Sequence, residues 1–451
     1  MRPGRTLLAV VALAPLSTSP AAANPLDAFG FGSRAAGMAS AQTADATDFS
    51  ANYYNPAGLV RGDELRIDVG WFYADSDLSL SGEDTNVDPV HGLVAGIAAP
   101  GRAFGVPIAF GLGLHLPDDR VSRVRSIRQQ QPRWEMYDNR NQRLYLAANL
   151  AIEPLPGLAI GGGLAFMSST KGTLDVSGEV VFPAADESEL RHRVDADLTA
   201  VRYPQAGVRW APRDWIELGV VYRGEFQLDL DILASLEGSV ATERGCDESA
   251  CAVADGVLIL ETHSVNAFLP QQVAGGVALS PDDRTRIALD LTWVDWSAYR
   301  SPTAKVFYDL ELDIHLESFE VPPIPPPSLV VPANFHDTFV PRIGAERTFP
   351  LGRTVTIAGR LGWAYEPSPA PPQTGITNFV DADRHHVTAG AGVLLSGITP
   401  VLPGPLRIDA HAHLIAIPEQ SIDKTDPADT VGDYRASGTV TSFGATVGAD
   451  F

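Results

Sequence analysis

A chain of 451 residues, 45% hydrophobic and 20% charged, is long enough for two or three soluble domains, yet its 41 glycines and 35 prolines punctuate it at short intervals throughout. That spacing favours many strands in one architecture. The net charge of -22 at pH 7 argues against a nucleic-acid partner and fits a solvated acidic surface.

The first residues read as a secretory signal over 1–23: Arg2 and Arg5 give a basic start, Leu7 to Leu16 an apolar stretch, and Ala21-Ala22-Ala23 a small-residue cleavage site. The mature chain is expected to begin near Asn24. No later segment offers roughly 18 uninterrupted apolar residues, which excludes a helical membrane protein. Between the signal and the first strand lies FGFGSRAAGMASAQTADATDFSANYYNPAGL, rich in glycine and alanine and without a strand period.

From residue 64 the dominant period is two. Leu65, Ile67, Val69, Trp71 and Tyr73 alternate with Arg66, Asp68 and Gly70, so one face is apolar and the other charged. The pattern returns at Leu144 to Ile152, at Val355 to Tyr365 and at Leu406 to Leu414. Each stretch is long enough, at about 10 residues, to cross a hydrocarbon core as a tilted strand.

Turn signals divide the chain into strand cores near 64–80, 90–100, 104–117, 142–153, 157–181, 191–211, 214–235, 258–280, 284–300, 336–349, 353–366, 384–396, 405–417 and 437–451. Alternate connections are short, and the others long and polar or proline-rich. This predicts an all-β fold, an antiparallel transmembrane β-barrel of about 14 strands with both termini on the short-turn side. Closure follows because an unpaired backbone group in hydrocarbon costs several kcal/mol. The last strand alternates Phe443, Ala445, Val447, Ala449 and Phe451 with Gly444, Thr446, Gly448 and Asp450, and should pair back to the strand beginning near Glu64.

Cys246 and Cys251 are the only cysteines and share one polar segment, GCDESAC, so an exported chain is expected to pair them as a disulfide at a loop tip. Arg66, Arg143, Arg360 and Arg407 fall on the inward face. They either guide an anionic ligand group or pair with Asp68, Asp290 and Asp409 to fill a wet lumen. Asp409, His411 and His413 have the D-x-H-x-H spacing of a metal motif, but too little chain follows to supply further ligands. They fit better as lumen-facing residues of the thirteenth strand. No nucleophile elbow, P-loop or paired CxxC is present, and neither an enzyme nor a cofactor is called for.

The segment ending in Asn55-Pro56-Ala57-Gly58-Leu59 resembles the N-terminal plug of the FadL family of outer-membrane transporters for long-chain fatty acids and other hydrophobic compounds. Ordered similarities follow at Leu269-Pro270, at LDLTWVDWS, at FHDTFVPRIGAERTF from Phe335, at GWAYEPSPAP from Gly362 and at DADRHH from Asp381. The resemblance implies a plug over 24–60 in a barrel over 61–451, and a bacterial outer-membrane location. A hydrophobic small molecule, either a long-chain fatty acid or an aromatic hydrocarbon, is the implied ligand, and the lipid bilayer receives it. The terminal aromatic would be read by the barrel-insertion machinery, and the barrel is expected to be a monomer. It also implies capture by outer loops and sideways exit beside a kinked third strand. There Pro107 cannot donate to a ladder, and Gly105, Gly111 and Gly113 weaken it. The competing readings are a plugged or narrow porin and a structural surface barrel.

Overall fold

A computed structural model of the chain describes residues 25–119, 130–137, 143–181, 189–241, 252–299, 305–314, 331–397 and 404–451. The signal expected at 1–23 and the cysteine pair Cys246 and Cys251 lie outside those residues. Fourteen strands build a closed wall. They are β1 Arg66–Leu80, β2 Val90–Ala103, β3 Val106–Pro117, β4 Tyr145–Leu155, β5 Leu158–Val181, β6 Glu189–Arg213, β7 Ile216–Arg223, β8 Gln272–Asp282, β9 Thr285–Val294, β10 Thr338–Leu351, β11 Val355–Glu366, β12 Arg384–Leu395, β13 Leu406–Ile422 and β14 Tyr434–Asp450. Each wall strand pairs antiparallel with its sequence neighbours. The sheet closes where β14 meets β1, from Arg66↔Asp450 to Leu80↔Ala436, with Leu65 and Phe451 exchanging backbone hydrogen bonds below.

The period-two faces fall as the sequence predicts. Ile67, Val69 and Trp71 on β1, Leu361 and Trp363 on β11, Ile408 and Leu414 on β13, and Phe443, Val447 and Phe451 at the chain end are exposed, while Asp68, Asn149, Arg360, His411 and His413 are buried inside. A row of exposed aliphatic and aromatic side chains around a polar interior is what a barrel in lipid requires. No helix among the described residues is long and apolar enough to cross a membrane, so crossing rests on strands.

Three details differ from the sequence reading. The turn expected at Pro100 to Arg102 lies instead at Phe104 and Gly105, whose positive φ angles of 52° and 83° close the β2–β3 hairpin. Two long strands break at Gly224–Glu225 and at Pro270–Gln271. Beyond the breaks, Phe226–Ala241, Ala252–Leu269 and Lys305–Ile314 form an outer sheet, in which Phe226–Ala241 runs parallel to the distal half of β5.

The third difference concerns β3, which is not interrupted. It pairs with β2 from Val106↔Ala103 to Pro117↔Gly92 and with β4 from Ile108↔Ile152 to His115↔Tyr145. The sideways opening expected in this strand is therefore absent. Pro107 sits beside the hairpin turn, below the first β4 rung, so its missing N–H interrupts nothing.

The N-terminal segment runs inside the wall as α1 Pro25–Phe29, α2 Ser33–Ala36, α3 Ala51–Tyr54 and a 3-10 turn over Pro56–Arg61, then passes directly into β1. Most of it is buried. Its contacts reach strands all round the barrel, from Asn52 to the carbonyls of Ile97 on β2 and Leu112 on β3, through to Ser33 against Thr446 on β14.

Candidate functional site: the barrel lumen

The Asn55–Leu59 turn is the hub of the lumen. Asn55 Oδ1 accepts from the Ala57 N–H (3.1 Å), which caps the 3-10 turn, and Pro56 at its first position loses no needed donor. Asn55 Nδ2 donates to Thr43 O (2.7 Å) and to Val208 O on β6 (3.2 Å), so one side chain ties the turn to the segment and to the wall. Gly58 allows the Ala46 carbonyl to lie against it, and Leu59 packs against Gly111.

Glycines of the wall make room for this segment. A Cβ at Gly161 on β5 would overlap the carbonyl carbon of Pro56 and stand 2.5 Å from Ala57 N. One at Gly344 on β10 would lie 2.6 Å from Met38 O, and one at Gly96 on β2 would lie 2.7 Å from the Phe49 ring. The same holds in strand three: a Cβ at Gly111 would collide with the Asn52 side chain, and one at Gly113 would come within 3.0 Å of Asn52 Cβ. Gly111 and Gly113 thus serve close packing, and Gly105 serves the hairpin turn.

A buried amide cluster completes this side. Asn149 Nδ2 donates to Asn52 O (3.1 Å) and Oδ1 (3.0 Å), and Gln205 Nε2 donates to Asn52 O (2.7 Å) and Asn149 Oδ1 (2.6 Å). Sequence reading missed it. The only signal was an Asn and a Gln at inward positions of their strands. Asn149→Ala is expected to destabilise the protein by about 1–3 kcal/mol, because buried amide groups lose their partners. A lower urea midpoint for the heat-modifiable folded band would show it.

Charges concentrate at the short-turn end. Arg34 on α2 bridges Asp45 (2.7 Å) and Glu346 on β10 (3.2 Å). Asp45 also holds Arg286 on β9, which reaches Glu217 on β7 (3.1 Å), and Glu217 binds Arg209 on β6 and Arg61 (3.2 Å). In the other direction Glu346 pairs with Arg360, and Arg360 with Asp409 (2.7 Å). The chain of ion pairs therefore crosses the lumen from β6 to β13 through the N-terminal segment.

Of the four arginines singled out by sequence, Arg360 belongs to this chain. Arg66 and Arg407 share Asp450 (3.0 and 2.9 Å), and Arg143 is buried just outside β4. Arg66, Arg360 and Arg407 line a cavity of about 230 Å³ at the same end, where neighbouring carboxylates already hold them. Asp409, His411 and His413 all face inward but diverge. Asp409 goes to Arg360, His413 Nε2 meets His386 Nδ1 at 3.0 Å, and His411 lies against Gly444 on β14.

The long-loop end adds aromatic side chains to its own buried ion pairs, Arg384 with Glu366 and Asp381 and Arg133 with Glu135. Phe31 and Tyr53 of the N-terminal segment pack with each other and with Tyr145, Phe49 packs on Phe31 from below, and Tyr203 packs with Phe226, as an aromatic layer. Above it Trp296, Tyr299, Phe335 and Phe379 form a roof, which the loop strand Arg133–Trp134 completes by pairing with Phe379–Val380. Between roof and segment, a cavity of about 40 Å³ has both apolar lining, from Met136, Trp296 and Val340, and charged lining, where Arg384 pairs with Glu366 (2.7 Å). Arg342 donates to Thr292 Oγ1 (2.8 Å).

A closed wall of this strand number around an N-terminal segment that carries NPAGL, with an aromatic layer above it, matches one known family of proteins. Residues 142–451 fit the family model described as outer membrane protein transport protein (OMPP1/FadL/TodX). The chain belongs to this family. Among solved structures, a FadL homologue from Pseudomonas aeruginosa is 16% identical, with 93% of this chain and 98% of that one covered at a TM-score of 0.60. The toluene transporter TodX of P. putida is also 16% identical, with 94% and 99% covered at 0.56, and the CymD monoaromatic hydrocarbon channel is 16% identical, with 93% and 97% covered at 0.53. No curated protein matches the sequence. As a FadL/TodX family barrel the chain is an outer-membrane transport protein, and the wall and its outward apolar face are the family's fold.

Proposed function

We propose that this barrel carries hydrophobic compounds, long-chain fatty acids or aromatic hydrocarbons, across the outer membrane, with residues 24–60 as its plug. The observation that carries this reading is the aromatic layer and roof at the long-loop end: these side chains meet a molecule arriving through the outer loops, and a lattice of ion pairs crosses the short-turn end beneath. The fit of the family model and the names of TodX and CymD support it.

An apolar molecule has no favourable path through the ionic floor, so its release is sideways into lipid. A tail released into water would lose about 0.8 kcal/mol per methylene. The outward Phe451 is the feature that barrel-insertion machinery would read.

Uptake into liposomes of labelled oleate, toluene and a small sugar, with and without residues 25–60, tests the reading. The intact protein should pass at least one apolar compound and exclude the sugar, and the truncated barrel should admit the sugar. Sugar passage by the intact protein, with no apolar uptake, would replace this reading with a narrow porin.

A further inference from the structure

The ladder between β10 and β11 stops early. β9 and β10 stay paired up to Val294↔Thr338, and β11 and β12 up to Glu366↔Arg384, yet β10 and β11 pair only from Leu351↔Val355 to Arg342↔Ala364. Residues Thr338 to Pro341 thus have a partner on one edge only. The cause is in the sequence. Pro341 has no N–H and occupies the rung that would meet Tyr365, and Pro367 and Pro369 remove two more donors from the facing chain.

Each flank is also tied to its own neighbour. Asp337 accepts from Trp293 Nε1 (3.1 Å) and Ser297 N (2.9 Å), which draws β10 towards β9. Asp383 accepts from Tyr365 Oη and Ser368 N (2.8 Å), which draws β11 towards β12. The flanks meet again through the His336 N–H on Pro369 O (3.0 Å). The result is a framed window, four residues of β10 or roughly 13 Å tall along the strand.

On the inner side of this window lies the small cavity beneath the aromatic roof, with Val340 and Arg342 from β10 and Glu366 from β11 in its lining. On the outer side Phe339 and Trp363 stand exposed at the long-loop end of the apolar belt. Unpaired backbone at membrane depth is tolerated where it borders a cavity, and this break borders the space between roof and segment. We propose that the β10–β11 window is a side door through which apolar cargo passes between the upper lumen and the outer leaflet. The inference rests on the transport reading and places the door about half the circumference away from the closed strand three.

The test bridges the window reversibly. In a Cys246→Ser/Cys251→Ser background, Pro341→Cys with Tyr365→Cys would be joined by a short bis-methanethiosulfonate, and Ile108→Cys with Ile152→Cys on β3 and β4 would serve as the control pair. Uptake of the apolar compound into proteoliposomes is expected to fall to the level of empty vesicles with the first bridge and return on reduction. The control bridge should leave it unchanged. Uptake that persists through the first bridge overturns the door alone, whereas no uptake by the parent protein removes the transport reading and the door with it. A second measurement is independent of transport: Val340→Cys should react with a membrane-dissolved pyrene maleimide faster than Ala274→Cys, since both side chains are buried but only Val340 borders the window. Equal rates would overturn the proposal.

Discussion

Gly161→Leu is expected to convert the closed barrel into a leaky one. The new side chain would project from β5 into the backbone of Pro56 and Ala57, where its Cβ alone already overlaps. Neither side has slack: β5 is paired with β4 and β6, and the Asn55–Leu59 turn is held by Asn55 to Thr43 and Val208. Overpacking of this kind costs about 1–3 kcal/mol even where atoms can relax. Here relief comes from expelling the turn, because the wall has more hydrogen bonds to lose. Planar-bilayer recordings should show open-channel current in the variant where the parent is silent. A silent, fully folded Gly161→Leu protein would mean that the turn does not close the lumen. Gly275→Leu is the matched control, since a Cβ there meets nothing.

Asp45→Ala should release the same segment from its other side. Asp45 is 2% exposed and holds Arg34 and Arg286 together. Without it two half-buried guanidinium groups keep only Glu346 and Glu217 as partners, and losing charged hydrogen bonds of this kind costs about 1.5–3 kcal/mol. The expected readout is protease cleavage within residues 30–50 from the short-turn side, together with channel current. Asp45→Ala combined with Arg286→Ala should be less sensitive than Asp45→Ala alone, because it also removes one of the stranded charges. A double variant as sensitive as the sum of both singles would show that the groups act independently.

The strands were legible because each one in the wall has water or protein on one face and lipid on the other, and alternation in the sequence records that directly. Facing was therefore readable for Arg66, Arg360, Arg407 and the three residues of IDAHAHL. Partners were not. Arg66 finds Asp450 384 positions away, and nothing local to either residue announces the other. The glycines of strand three show the same limit in another form. A glycine that weakens a ladder and a glycine that admits a neighbour look identical in sequence, and Gly111 and Gly113 are of the second kind because Asn52 lies against them.

Arg34 and Asp45 went unremarked for a related reason. They sit in a run of small residues with no strand period, so no facing could be read for them. Pro341 was visible within FVPRIG, but its missing donor matters only because β11 stands beside it. That adjacency becomes apparent once the strand order is known.

The seam between β1 and β14 also sets an order of events. Ser33 donates its N–H to Thr446 Oγ1 (3.1 Å), and Thr446 stands opposite Gly70 across that seam. The N-terminal segment therefore has part of its binding surface on β14, 413 positions further along the chain, and the rest on strands made earlier. Contacts of such sequence separation form slowly. The sheet is wound around the segment that precedes it, and that segment gains its last wall contacts in the same step in which the sheet becomes a cylinder.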